Sequence, residues 1–143
     1  MSRCQLSRVL VPVDGSQGAH DAVSCALAIC QAVSGALTVL AVHDASPPDP
    51  AAQQPPDGAA DTAQERLVGA LDRARRTVQS RSLPVTTFLA RGCASEVVPA
   101  YAREHRQDLI VLSRDDGGTP QSQLAQAAMR IAIEAPCAVI MLR

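Results

Sequence analysis

The stretch "RVLVPVDGSQGAHDAVSCALAICQAVSGALTVLAV", residues 8–42, decides the fold. Its ends, residues 8–13 and 37–42, are short apolar runs of the kind found in strands that are buried on both faces. Between them, small apolar residues recur at helical spacing, at Ala19, Ala22, Val23, Ala26, Leu27, Cys30 and Val33. A strand, a helix and a second strand in this order form a right-handed βαβ unit with parallel strands.

The rest of the chain repeats this alternation. Apolar runs predict strands at 109–113 and 138–142, and a more mixed run predicts a strand near the sheet edge at 85–90. Helical spacing recurs at Ala63, Leu67, Ala70, Leu71, Ala74 and Val78, at Val97, Val98, Tyr101 and Ala102, and at Leu124, Ala127, Ala128, Ile131 and Ala132. The prediction is an α/β three-layer sandwich, a parallel sheet with helices on both faces, in one domain over residues 1–143.

A proline-rich segment interrupts the pattern. Residues 45–60, "ASPPDPAAQQPPDGAA", hold five of the 10 prolines, which is incompatible with a regular strand or helix. We predict a mobile loop there, with a lid over a ligand as the alternative.

The composition excludes several classes of partner. The 13 basic residues, all arginine, balance 14 acidic residues for a net charge of −1, which argues against general affinity for nucleic acid or an anionic membrane. One Tyr, one Phe and no Trp leave no aromatic platform for single-stranded nucleic acid. The absence of lysine also excludes a Walker-type or Schiff-base lysine.

Cysteine and histidine spacing gives no metal or disulfide signature. The five cysteines are an odd number without a C-x-x-C pair. His20, His43 and His105 lack the spacing of metal ligands, and only His43, directly after a predicted strand, is a minor candidate for ligand contact. Neither a secretory leader nor an apolar run of about 18 residues is present, so a cytoplasmic location is expected.

Three groups of motifs follow one another along the chain. "VPVDGS" at 11–16 precedes the small-residue helix and "LTVLAV" at 37–42, "RGCASEVVPAYAREHRQDLIVLS" spans 91–113, and "EAPCAVIMLR" spans 134–143. In this order they resemble the universal stress protein family over nearly the whole chain, apart from the proline-rich segment. The resemblance implies an adenine-nucleotide α-hydrolase-like, Rossmann-like fold with five parallel strands in the order 3-2-1-4-5.

This strand order implies a nucleotide cleft. Its switch point lies between strands 1 and 4, and ligands bind there in open α/β sheets. In the ATP-binding branch of the family, by resemblance, Asp14 and Val42 hold adenine and ribose. The implied cleft residues are Pro12, Val13, Asp14, Val42, Ser113, Gly117 and Gly118. A simpler interpretation is that Asp14 or Ser16 only caps the first helix.

The phosphate loop departs from the family pattern, which is G-x-x-G followed by Gly-Ser or Gly-Thr at a helix start. Ser113 and Asp116 stand at the first two glycine positions, and Ala125 with Gln126 replaces the last pair. Glycine matters there because the backbone must approach the phosphate closely, often with φ above zero. We therefore do not assign the family's phosphate contacts to these residues.

Charge in the same loop opposes phosphate. One carboxylate, from Asp115 or Asp116, about 4 Å from a phosphate charge costs about 1 kcal/mol in water and about 4 kcal/mol at an effective dielectric near 20. Tight triphosphate binding is expected to be weakened or lost, unless Mg²⁺ reverses the local charge and Gly117 with Gly118 forms a small anion nest.

The last predicted strand indicates self-association. In the implied order it lies at an edge of the sheet, and no charge or proline within it blocks pairing with another chain. Family members, by resemblance, dimerise by antiparallel pairing of this strand. We predict a homodimer, or a heterodimer with another family member, through Ala138, Val139, Ile140, Met141 and Leu142.

Three functions are compatible with these observations. The leading hypothesis is a non-enzymatic, cytoplasmic stress-response dimer with weakened or lost ATP binding. The alternative is an adenine-nucleotide sensor that binds ATP, ADP or AMP, with Mg²⁺, in the cleft between strands 1 and 4. A weak hydrolase is disfavoured because the G-x-S-x-G and H-E-x-x-H signatures and a lysine are missing. No catalytic residue and no metal site is assigned.

Overall fold

The computed structural model describes residues 6–43, 59–114 and 123–142. Five strands and four helices alternate along these ranges. Their bounds are β1 Arg8–Val13, α1 Gln17–Val33, β2 Ala36–His43, α2 Ala59–Gln79, β3 Val85–Arg91, α3 Ala94–Glu104, β4 Leu109–Ser113, α4 Gln123–Glu134 and β5 Ala138–Leu142. All the predicted strands are confirmed, each to within one residue at either end.

The proline-rich segment is described only at its end. Because α2 begins at Ala59, the prediction of a loop over 45–60 is wrong for Ala59 and Ala60. Alanine is the strongest helix former and no proline lies between Ala59 and the end of α2 at Gln79, so the helix extends back to this pair. Residues 45–58 lie outside the described ranges, and for them the mobile loop stays a prediction.

The strands form one parallel sheet in the order β3-β2-β1-β4-β5, which confirms the predicted topology. Helices α1 and α2 pack on one face, and α3 and α4 pack on the other. The helices change face because the chain runs outward from β1 to β3 and then returns to the other side of β1. Right-handed crossovers in opposite directions place their helices on opposite faces.

Each face of the sheet buries its own core. Along β1, Val9, Val11 and Val13 point towards α1 and α2, whereas Leu10 points towards α3 and α4. The residues of β1 from Val9 to Val13 and all of β4 are buried, which explains why both sequences are nearly continuous apolar runs. The edge strands β3 and β5 alternate between half-buried and exposed residues for most of their length.

Helix α1 has a defined start and end. The Ser16 hydroxyl oxygen accepts a hydrogen bond from the Ala19 N–H at 3.2 Å, which makes Ser16 the N-cap. At the other end Ser34 adopts the left-handed conformation, with φ of 55°. The Gly35 N–H then reaches the Cys30 carbonyl at 2.9 Å and closes the last turn.

Asp108 fastens β1 to β4 at their amino ends. One oxygen of its carboxylate accepts hydrogen bonds from the backbone N–H groups of Ser7 at 3.1 Å and Arg8 at 2.9 Å. The Asp108 N–H donates in return to the Arg8 carbonyl at 2.8 Å. The two central strands are therefore held together at the edge opposite the predicted cleft.

Candidate functional site

The predicted cleft lies where β1 and β4 reach their carboxyl ends. β1 pairs with β2 along its whole length, from Arg8↔Ala36 to Val13↔Ala41. Between β1 and β4 the described pairing comprises only Val9↔Leu109 and Leu10↔Ile110, although both strands continue for three more residues. The described β1–β4 pairing thus ends before the carboxyl ends of the two strands, at the topological switch point, which is where open α/β sheets bind ligands.

The sheet divides the predicted cleft residues between its two faces. Val42 packs against the core under α3 and α4, and alternation along β1 directs Pro12 to the same face. Val13 belongs to the core under α1 and α2, and alternation along β4 places Ser113 on that side. Pro12 and Val42 therefore lie together on the α4 side, whereas Val13 and Ser113 do not.

Asp14 organises the turn at the mouth of the cleft. Its Oδ1 atom accepts a hydrogen bond from the Ser16 N–H at 3.0 Å, and the side chain is half-buried. Gly15, between them, has a φ of +85°, a conformation that favours glycine. Capping is thus an observed role of both Asp14 and Ser16, and it holds the Asp14 carboxylate at the carboxyl edge of the sheet.

Comparison with known proteins identifies the family. The sequence model of the universal stress protein family matches residues 6–143. The chain belongs to the universal stress protein family. The match confirms the resemblance that the sequence motifs indicated. Comparison with curated protein sequences gives no match.

Solved structures of family members share the fold. Universal stress protein UspA from Lactobacillus plantarum is 26% identical, with 97% of this chain and 99% of that chain covered and a TM-score of 0.68. A family protein from Burkholderia pseudomallei is also 26% identical, with 99% and 98% covered and a TM-score of 0.77. A family protein from Arabidopsis thaliana, solved with AMP bound, is 15% identical, with 95% and 90% covered and a TM-score of 0.67.

The loop that was predicted to face phosphate begins without glycine. Ser113, at the first glycine position, is buried with 7% of its surface exposed. The next backbone N–H, of Arg114, donates to the Leu142 carbonyl at 2.9 Å and is already satisfied within the sheet. Gly117 and Gly118, with the neighbouring aspartates, lie outside the described residues, so their predicted role stays a prediction.

His43, which the sequence indicates only as a minor candidate, lies at the carboxyl edge of the sheet. It is the last residue of β2, and its carbonyl accepts the Gly92 N–H at 2.9 Å. Its Nδ1 atom is buried and has no hydrogen-bond partner among the described residues. Alternation along β2 directs the His43 side chain to the face under α1 and α2, so it lies at the carboxyl edge of the sheet but on the face opposite Val42. The only indication of this in the sequence is that His43 directly follows Val42 at the end of a predicted strand.

The thiols of Cys30 and Cys137 do not serve this cleft. Burial raises the pKa of Cys30, and burial together with the Asp108 carboxylate raises the pKa of Cys137. Both cysteines lie towards the amino edge of the sheet, where α1 ends and β5 begins. They remain protonated at neutral pH, and a protonated thiol is a poor nucleophile.

Two further classes of site are not found in the described ranges. Among these residues no group of His, Cys, Asp and Glu side chains is arranged to hold a metal ion. None of the helices, as far as they are described, combines the length and the apolar character needed to cross a bilayer.

Proposed function

We propose that this universal stress protein is a non-catalytic, cytoplasmic stress-response protein whose cleft binds the adenosine part of a nucleotide and lacks tight triphosphate binding. The observation that carries the proposal is the contrast between the two sides of the cleft. The side that would hold base and ribose retains Pro12, Asp14 and Val42, whereas the phosphate side holds a buried Ser113 and an engaged Arg114 amide.

The retained side suits a nucleoside. Pro12 and Val42 offer apolar contacts on one face, which is what an adenine ring requires, and the Asp14 carboxylate can accept hydrogen bonds from ribose hydroxyls. The AMP bound to the Arabidopsis family member supports this class of ligand.

The phosphate side offers little to additional phosphates. Asp115 and Asp116 precede the only glycines of the loop, and each carboxylate about 4 Å from a phosphate charge costs about 1–4 kcal/mol. We therefore expect ATP to gain no affinity over AMP. A nucleotide sensor that holds ATP through Mg²⁺ is the second candidate, because a divalent cation would reverse the sign of this interaction.

The absence of lysine argues against phosphoryl transfer. That reaction depends on cations and positioned donors around the transferred group, and this chain has no lysine to supply one. Asp14, the carboxylate at the cleft, orients the turn through its bond to the Ser16 N–H. We propose a binding function without turnover.

A dimer through β5 is part of the proposal. β5 is an edge strand, and Ile140 on it is 36% exposed. On α4, the helix that packs over β5, Met129 and Ile133 are 55% and 79% exposed. An apolar edge strand and exposed apolar side chains on α4 both favour association with a second chain, either a copy of this one or another family member.

Calorimetric titration of nucleotide-free protein with AMP, and with ATP in the presence and absence of Mg²⁺, tests the cleft. We expect AMP and ATP to bind within about threefold of each other, a difference of about 0.7 kcal/mol. Asp14→Ala should weaken both, whereas the control Asp21→Ala, on the exposed surface of α1, should weaken neither.

Two results would contradict the proposal. ATP binding at least about tenfold tighter than AMP with Mg²⁺, equivalent to about 1.4 kcal/mol, would favour the sensor. No binding of either nucleotide by the folded protein would show that the cleft takes no nucleotide, and the function would then rest on protein partners.

A further inference from the structure

A second cavity lies on the other helical face, between α1 and α2, with a volume of about 460 Å³. Its floor consists of small or buried apolar side chains, each at most 7% exposed, from Val13, Ala19, Val23, Ala70 and Ala74. Alanine at these helix positions leaves the space between the two helices unfilled. The volume lies within the range of about 300–1,000 Å³ that is typical of small-molecule sites.

The rim of this groove is polar and positively charged. Arg73, Arg76 and His20 line it, and no carboxylate is among the described lining residues. Arg76 already pairs with Asp72 at 2.9 Å, and Arg75 pairs with the same carboxylate. Arg73 has no acidic partner within the described ranges, so its guanidinium stands uncompensated beside an apolar floor.

We propose that this groove binds a small organic anion, an apolar body that carries a carboxylate or phosphate group. The apolar body would lie over Ala70 and Ala74 on the floor of the groove. The oxyanion would pair with Arg73, whose planar guanidinium presents parallel N–H donors that match carboxylate and phosphate geometry. A cationic ligand would be repelled by Arg73, and no carboxylate lines the described part of the groove to attract it.

The groove is separate from the nucleotide cleft because β1 lies between them. Val13 points to the groove, whereas Pro12 points to the opposite face. Ser16, on the groove wall, follows directly in the turn that Asp14 organises. The two sites can therefore be occupied together, and their ligands can be titrated independently.

The test uses 8-anilinonaphthalene-1-sulfonate, a fluorescent anion with an apolar body. Saturable binding is expected, with displacement by octanoate and octyl phosphate but not by octanol, and the two competitors distinguish a carboxylate from a phosphate preference. Arg73→Gln should weaken binding about tenfold, the loss typical of one charge-assisted hydrogen bond. Arg103→Gln, an exposed arginine on α3, is the matched control and should leave binding unchanged.

A second variant fills the groove. Ala74→Leu places a larger side chain on the floor and should abolish binding, while AMP titration and the thermal midpoint report whether the fold is intact. If the Ala74→Leu variant does not fold, the probe affinity of the Arg73→Gln variant alone tests the proposal. Absence of saturable probe binding, equal displacement by octanol, or an unchanged affinity in folded Arg73→Gln would each overturn the proposal.

Discussion

Replacing Gly92 by alanine should lower the free energy of unfolding by about 2–6 kcal/mol. Gly92 joins β3 to α3 with a φ of +136°, which L side chains rarely adopt, and holding alanine there costs about 1–3 kcal/mol. A Cβ atom on Gly92 would also lie 2.9 Å from Cγ2 of Val97. Val97 packs against the core under α3 and α4, so relieving this overlap costs about 1–3 kcal/mol more.

Gly69 is the matched control for the same chemical change. It lies inside α2, and nothing stands within 4 Å of a Cβ atom built there. Gly69→Ala should raise the free energy of unfolding by about 0.5–1 kcal/mol, because alanine loses less backbone entropy in a helix. The two substitutions are therefore expected to have opposite signs.

Urea unfolding followed by far-ultraviolet circular dichroism, at one fixed protein concentration, measures both variants. The overlap with Val97 is isolated by a double-mutant cycle, in which Val97→Ala should cost less in the Gly92→Ala background than in the native protein. The reasoning would be refuted if Gly92→Ala changed the free energy of unfolding by less than about 0.5 kcal/mol, which is the range of ordinary surface substitutions.

Three further predictions concern association, the end of α1 and pH. Ile140→Lys should give a monomer in light scattering because it places a charge on the β5 edge. The control Val68→Lys, at a residue of α2 that is 48% exposed, should leave the dimer intact. A dimer of unchanged size in Ile140→Lys would exclude this interface. Ser34→Gly should raise the free energy of unfolding by about 0.5–1 kcal/mol, since glycine relieves the left-handed φ of 55°; a loss of stability in urea would contradict this. Burial raises the pKa of Cys30 above its usual 9.0, so its contribution to the free energy of unfolding is present below pH 9.0 and is lost as pH rises through the folded-state pKa. Cys30→Ala should therefore reduce the loss of stability at alkaline pH. Identical plots of unfolding free energy against pH for the variant and the native protein would contradict this.

Some cleft residues could be placed from the sequence and others could not. Asp14 and Val42 were predicted at the carboxyl edge, because a residue that directly follows an apolar run lies at the end of a strand. The burial of the Nδ1 atom of His43 and the engaged amide of Arg114 were not predictable. Hydrogen-bond satisfaction depends on residues distant in the chain, as when Arg114 pairs with Leu142.

The sequence by itself determined the elements of this protein. The strands and the four helices appear in the apolar periodicity, because that period records which side of each backbone turns away from water. The motif order also indicated the family, and with it the strand order of the sheet. These properties are local, or shared with relatives, and they need no coordinates.

Only the tertiary structure decided how the surfaces meet. It separated Pro12 from Val13 across the sheet, ended the β1–β4 pairing at Leu10↔Ile110, and left an open groove between α1 and α2 above Ala70 and Ala74. In the sequence, the spacing of Ala70 and Ala74 indicates only ordinary core positions of a helix. Whether such a position is filled or leaves a cavity depends on the distance to the facing helix, and that distance is set by the packing of the whole sheet.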